Sequence, residues 1–270
     1  MKSNMPLWFD AGVNLFSDRF NSDRADVVQQ ARDVNVIEML LISSDLAESQ
    51  LNTHYCSNLP SLYCTAGVHP HQAAGVSAGW IAQLEDLVRA PHVVAVGECG
   101  LDFNRNFSTP EQQIEVFESQ LAVATRLKKP VYLHERDAFV TQISLIKNNP
   151  GLSGIAHCFT GDSTELKAYL DLGLYIGITG WLCDAKRGQS LMDAVRYLPL
   201  DRLILETDAP FLLPKTITPK PKSSRNEPAY LPGIAAQFAQ LTGHSLDDIS
   251  LHSRRNSLTL FQITADEHSL

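Results

Sequence analysis

A (β/α)8 barrel of the α/β class is the fold this sequence predicts, and three observations carry the prediction. Eight short apolar runs of strand length recur along the chain, helical patterns fill the gaps between them, and acid or imidazole side chains recur where the runs end. A parallel strand buried on both faces reads as such an unbroken apolar run. Alternation of strand and helix with right-handed crossovers gives either a closed barrel or an open parallel sheet, and eight is the number that a barrel needs.

In chain order, strands are expected near 7–13, 36–43, 62–68, 93–97, 131–134, 154–157, 175–179 and 203–206. The clearest helix is expected over 110–128: Thr109 suits the N-cap, Pro110 the first helical position, and Gln112 completes a capping box. Ile114, Phe117, Leu121, Ala124 and Leu127 then fall on one face at helical spacing. Lys128 and Lys129 suit the negative end of the helix dipole, and Pro130 stops the helix. Two stretches depart from the alternation. One is the polar loop 103–108, which carries Arg105; the other is 214–228, rich in proline and basic residues. A loop at the C-terminal mouth of a barrel lines the active site.

At 270 residues the chain is within the range of one barrel, and no repeat or linker divides it, so 1–270 reads as a single domain. Its 44% hydrophobic and 19% charged content is that of a globular protein with a sizeable core. No apolar run is long enough to cross a bilayer, and the N-terminal stretch lacks the apolar segment of a secretory signal. Five cysteines, odd in number and scattered, point to reduced thiols and a cytoplasmic setting, with Cys99 and Cys158 expected to be buried and inert. The net charge of −8 excludes a protein that coats nucleic acid electrostatically, but leaves room for an enzyme that grips it locally.

The chemistry is expected at the strand ends. His69 and His71 follow the third strand, Glu98 the fourth, His134 ends the fifth, His157 the sixth, and Glu206 and Asp208 the eighth. Taken one at a time, each has an ordinary structural reading, such as a hydrogen-bonded histidine or an acid that opens a turn. On a parallel barrel all these ends open onto one face, and the recurrence favours a mixed nitrogen and oxygen site for Zn²⁺, Mn²⁺ or Mg²⁺. Such an ion activates water and offsets charge on a scissile phosphoryl or carbonyl group, so the residues alone leave the bond open.

The segments V-G-E-C-G-L-D, L-H-E-R-D, A-H-C-F-T-G, I-G-I-T-G and L-E-T-D-A-P, with T-A-G-V-H-P-H and S-R-N-E-P, resemble the motifs of the TatD family of metal-dependent deoxyribonucleases. The resemblance runs from about 9 to 261. It implies a metal-dependent hydrolase barrel acting on phosphodiester bonds, with Glu98, His134, His157 and Asp208 as metal ligands. Glu206, the acid beside the last ligand, and His69 join Asp208 as catalytic candidates, and His71, Arg105, Arg225 and Asn226 are candidates for substrate contact. Many family members carry an H-x-H pair on the first strand, where this chain has Gly12 and Asn14. That loss leaves a site richer in oxygen, for which Mg²⁺ is the expected ion and Mn²⁺ or Zn²⁺ the alternatives.

The form F-D-x-G-V-N is most similar to the TatD branch proper, associated with 3′-to-5′ exonuclease action on single-stranded DNA and RNA. The expected partner is then a single-stranded end, met by a monomer with no obligate protein partner. Asp208 is expected to take a proton from the attacking water, with His69 and a basic side chain offsetting phosphoryl charge, and Phe103 or Trp181 stacking on the end base. Two alternatives stand beside this: an amidohydrolase-like enzyme cleaving an amide, ester or lactone, and a non-catalytic binding protein on a degenerate barrel.

Overall fold

The computed structural model describes residues 6–264; residues 1–5, part of the N-terminal stretch read above for a secretory signal, lie outside the described residues. Among the described residues, eight strands form one sheet in the order β1 to β8. They are β1 (Trp8–Val13), β2 (Val36–Leu41), β3 (Leu62–Ala66), β4 (Val93–Asp102), β5 (Val131–Arg136), β6 (Gly154–Ala156), β7 (Tyr175–Ile178) and β8 (Leu203–Leu205). Between and after them run α1 (Arg24–Asp33), α2 (Leu46–Cys56), α3 (Trp80–Val88), α4 (Pro110–Leu127), α5 (Phe139–Lys147), α6 (Ser163–Asp171), α7 (Gln189–Ala194), α8 (Leu231–Thr242) and α9 (Leu246–Leu260). Every expected strand is present, and this is the alternation of a (β/α)8 fold.

Packing divides the described chain into two compact units: the N-terminal part to Leu41 with His157–Arg254, and Ile42–Ala156 with the part from Arg255 onward. In the first, β1 pairs with β2 and β7 with β8, all parallel. A parallel bridge between Val13 and Ala209 joins β1 to the chain just beyond β8, as closure of a barrel requires. Phe9, Val13, Met39, Leu41, Ile204 and Phe238 are wholly buried there. Full burial of such side chains contributes roughly 1.5–3 kcal/mol each. Arg254 on α9 makes a two-pronged pair with Glu38 of β2, at 2.6 and 2.9 Å, so both charges of this buried pair are hydrogen-bonded.

In the second unit, β3 to β6 are parallel neighbours. Here β4 runs five residues past its expected end at 97, so Glu98 is inside the strand rather than after it. The cause is glycine. Gly97 (φ 149°) and Gly100 (φ 139°) take backbone conformations that side chains disfavour, and the register with β5 slips between Val96 and Cys99. The strand bulges there instead of stopping. The Gly97–Glu98 peptide is cis.

Helix α4 begins as expected: the Thr109 hydroxyl accepts from the Gln112 N–H, and the Gln112 side chain accepts from the Thr109 N–H. Lys128 closes it in the left-handed conformation. Its inner face differs from expectation. Phe117, Leu121 and Ala124 are buried, but Ile114 and Leu127 are half-buried, and Gln113 and Gln120 take the interior instead. Those amides satisfy backbone that leaves the sheet. Gln120 accepts from the Val68 N–H and donates to its carbonyl (2.8 and 2.9 Å), while Gln113 does the same for Asp102 (2.8 and 3.0 Å). On α5, Gln142 accepts from the Leu101 N–H at 3.0 Å. Each buried amide replaces water for backbone groups beside a candidate site residue, and so fixes where that residue stands.

Candidate active site

In the second unit, Glu98 and His134 reach the same place from neighbouring strands, and His69 from the turn after β3. His134 Nδ1 lies 2.8 Å from Glu98 Oε1, and His69 Nε2 lies 3.5 Å from the same oxygen. One donor atom from each residue lies within 4.8 Å of the others, a two-nitrogen, one-oxygen set of the kind that holds a divalent ion. Beside it, His71 Nε2 is 2.6 Å from Asp102 Oδ2, and His134 Nε2 is 3.6 Å from that oxygen. Asp102 is a residue sequence reasoning missed. With β4 continuing to 102, side chains two and four residues apart share a face, so Asp102 falls on the side of Glu98.

The surroundings set the charges. Burial pushes the His69 imidazole down to about 3; Glu98 counters this, and the nearby His134 and His71 add to it. His69 is therefore neutral at pH 7. Its Nδ1 accepts the His71 N–H at 3.1 Å, which leaves the proton on Nε2, towards Glu98. The expected charge-offsetting role thus changes to that of a neutral hydrogen-bond donor. Burial alone would raise the Asp102 carboxyl, but the nearby His134 imidazole and hydrogen bonds from the Arg105 N–H and His71 outweigh it and hold the group well below the usual carboxylate range.

In the first unit the chemistry gathers where β6 and β8 end. His157 Nδ1 lies 2.7 Å from Glu206 Oε2, and the Cys158 N–H donates to Glu206 Oε1 at 2.6 Å. Glu206 is fully buried with both oxygens engaged, so it acts through His157: an acceptor on Nδ1 fixes the tautomer and leaves the Nε2 lone pair for a ligand. Donor atoms of His157, Cys158 and Asp208 all lie within 4.8 Å of one another. Cys158 is half-buried and joins this set, contrary to the expectation of a buried, inert thiol; Cys99 is wholly buried, and burial raises its thiol. None of the five cysteines forms a disulfide.

Asp208 has a positive φ of 55°, its N–H donates to the Gly12 carbonyl at 2.8 Å, and the Asn14 amide donates to its Oδ1 at 2.8 Å. The Asn14 side chain holds Asp208 in place. Behind it, buried Asp10 accepts from the Thr207 N–H (2.8 Å), the Thr207 hydroxyl (2.6 Å) and the Gly12 N–H (3.3 Å).

Asp10 supplies a pH prediction. Burial, its largest influence, pushes the carboxyl from 3.8 up to about 8 against the opposing hydrogen bonds from Thr207 and Gly12. Between those values the folded chain holds a proton that the unfolded chain has lost, so stability falls as pH rises through this window, by about 1.4 kcal/mol per pH unit from this group. Asp10→Asn, which copies the neutral acid, removes that slope from urea unfolding measured between about pH 5 and 8. An unchanged slope in the variant would place the raised group elsewhere.

Of the remaining candidates for substrate contact, Arg225 and Asn226 have structural partners. Arg225 pairs with Asp23 and Glu227, each at 2.7 Å, donates to the Arg19 carbonyl at 2.9 Å and covers the Phe20 ring. Those carboxylates raise its guanidinium above the ordinary value. Asn226 is fully buried, donating to the Thr207 carbonyl and accepting from the Glu227 N–H, both at 2.9 Å. These two hold the segment after β8 in place, a role that their spacing in S-R-N-E-P does not reveal. Lys215 in the same segment pairs with Asp184 at 2.7 Å. Arg105 is exposed, and His71 is a quarter exposed at its side chain. Trp181 carries Arg187 over its ring at 4.3 Å, and Phe103 is half-buried.

Comparison with known proteins shows the family. The family described as TatD related DNase matches residues 9–262. A protein of Klebsiella pneumoniae named 3′-5′ ssDNA/RNA exonuclease TatD is 47% identical over 259 residues, covering 94% of this chain and 98% of that one. Its namesake in Edwardsiella piscicida is 48% identical over 259 residues, with 94% and 99% covered. Among solved structures, a TatD homologue from Escherichia coli K12 superimposes with a TM-score of 0.87 at 26% identity, covering 95% of this chain and 98% of that one. The chain belongs to the family of TatD-related DNases.

Proposed function

We propose that this protein is a metal-dependent 3′-to-5′ exonuclease that removes nucleotides from the ends of single-stranded DNA and RNA. The observation that carries the reading is the grouping of ligand-type side chains at the strand ends, Glu98 with His134 and His157 with Asp208, the second histidine backed by the Glu206 carboxylate. The full-length similarity to relatives named as such exonucleases supports the substrate class.

Glu98, His134, His157 and Asp208 are assigned as ligands of divalent metal, Mg²⁺ before Mn²⁺ or Zn²⁺ because carboxylate oxygens make up half of them. When bound, the metal supplies Lewis acidity that polarises a phosphoryl oxygen and acidifies water. The chain's own groups do the rest. Asp208, held by Asn14, accepts the proton of the attacking water. Glu206 fixes the tautomer of His157, and Asp102 orients His71. Neutral His69 offers its Nε2 proton to charge that develops on the phosphoryl group. We assign the protein to the cytoplasm from its reduced cysteines, and among the described residues no helix is long and apolar enough to cross a membrane.

Oligonucleotides labelled at either end, single-stranded and duplex, test this in Mg²⁺, Mn²⁺ or EDTA. The expected result is a ladder that shortens from the 3′ end of single strands with metal and disappears with EDTA. Intact substrate in every metal would overturn the reading and reopen amide, ester or lactone hydrolysis or a binding role.

A further inference from the structure

We propose that Phe107 is a base-stacking platform beside the His69–Glu98–His134 cluster, the place where the terminal nucleobase of a single strand rests. This rests on the exonuclease reading above and moves the stacking role away from Phe103 and Trp181. The Phe107 ring is 64% exposed. Its centroid is 4.8 Å from that of His71, at an interplanar angle of 76°. His71 in turn meets the His69 ring at 4.3 Å, and His69 Nε2 is 3.5 Å from Glu98. Two imidazoles therefore connect the exposed ring to the candidate metal ligands.

Single exposed apolar side chains are common and need no function. What separates Phe107 from a stray surface ring is the scaffold that fixes it. Asp102 Oδ1 accepts the N–H groups of Asn104 and Arg105 at 3.0 and 2.9 Å, which sets the start of the loop. The Asn106 amide donates to the Phe103 carbonyl at 2.8 Å. On the other side, buried Ser108 accepts from the Ala74 N–H at 2.9 Å and donates to the His71 carbonyl at 3.2 Å, while Gln113 donates to the Ser108 carbonyl at 2.9 Å. The loop is tied down on both sides of Phe107, yet the residue is exposed to solvent. A rigid, exposed aromatic beside a reacting centre binds any base by its π-face, which suits an enzyme that must accept every 3′ end in turn. The same carboxylate, Asp102, anchors both the loop and His71, so platform and cluster are set by one residue.

The test compares oligodeoxynucleotides that end in a natural 3′ nucleotide with ones that end in an abasic sugar, on the Mg²⁺-loaded protein and its Phe107→Ala and Phe107→Tyr variants. A base stacked on an aromatic ring strengthens binding about tenfold. Wild type should thus favour the natural end over the abasic end by about that factor in kcat/KM, Phe107→Ala should abolish the preference, and Phe107→Tyr should keep it. Phe107→Trp adds a readout independent of turnover, in which indole emission is quenched as the natural end binds and unchanged by the abasic one. A preference that survives in Phe107→Ala, or equal losses on both substrates, overturns the platform while leaving the exonuclease reading intact. Intact substrate of both kinds with wild type would overturn the exonuclease reading and the platform with it.

Discussion

Glu98→Ala should lower kcat/KM on single-stranded ends by more than about 100-fold while the far-UV circular dichroism spectrum stays native. The threshold follows from the role of the side chain: removing a group that merely orients a metal ligand costs about 10- to 100-fold, and a ligand should cost more. One Glu98 oxygen faces both His134 Nδ1 and His69 Nε2, at 2.8 and 3.5 Å, so its loss leaves two buried or half-buried imidazoles without their shared acceptor. Neutral His69 then has no anion to donate to, and the cluster keeps nitrogen donors alone. Affinity for hard ions such as Mg²⁺ should fall further than affinity for Zn²⁺, because imidazole suits the latter. Glu98→Gln separates shape from charge. It retains an oxygen and nearly the same volume, so if packing were the requirement it would restore activity. If the carboxylate is the requirement, Gln should be nearly as damaging as Ala. Calorimetric Mg²⁺ titration and end-labelled kinetics give the two readouts. Activity within threefold of wild type in the Ala variant would remove Glu98 from the chemistry.

The fold was legible because its determinants are local. Buried parallel strands leave unbroken apolar runs, and α4 announces itself through Thr109, Pro110 and Gln112 within four positions. The ligand-type residues were legible because the fold places chemistry at strand ends, so Glu98, His134, His157 and Asp208 stand out once strands are drawn. What escaped is interaction at long sequence range. Nothing near Gln120 shows that it caps Val68 fifty-two residues away, nor does S-R-N-E-P show that Arg225 answers Asp23. A charged residue on a loop reads as available until its partner is placed, as Arg225 shows with Asp23 and Glu227. Asp102 was missed for a different reason. Reading β4 as ending at Gly97 hid the period-two relation between 98 and 102, which was present in the sequence.

Gly100→Ala tests whether that longer strand matters, and it should destabilise the protein by about 3 kcal/mol or more. Two costs coincide. At φ 139° a side chain is strained by itself, worth about 1–3 kcal/mol. An added Cβ would also overlap the His134 carbonyl oxygen and sit 3.0 Å from Gln142 Oε1, and overpacking of this kind adds about 1–3 kcal/mol. Neither obstacle is a flexible side-chain tip that can swing aside. His134 is Gly100's register partner in β5, and the Gln142 oxygen is fixed by the Leu101 N–H at 3.0 Å. The least costly response is for β5 to draw back at His134, which would carry that imidazole away from Glu98. Stability and activity should therefore fall together, with activity lost even at temperatures where the variant remains folded. Gly75→Ala is the control, because a Cβ there meets nothing within 4 Å and its φ is not in the strained range. Urea unfolding at one pH, paired with kinetics on the folded fraction, gives both numbers. Wild-type stability in Gly100→Ala would mean that β4 and β5 tolerate separation, and the close approach at His134 would lose its claim to position the site.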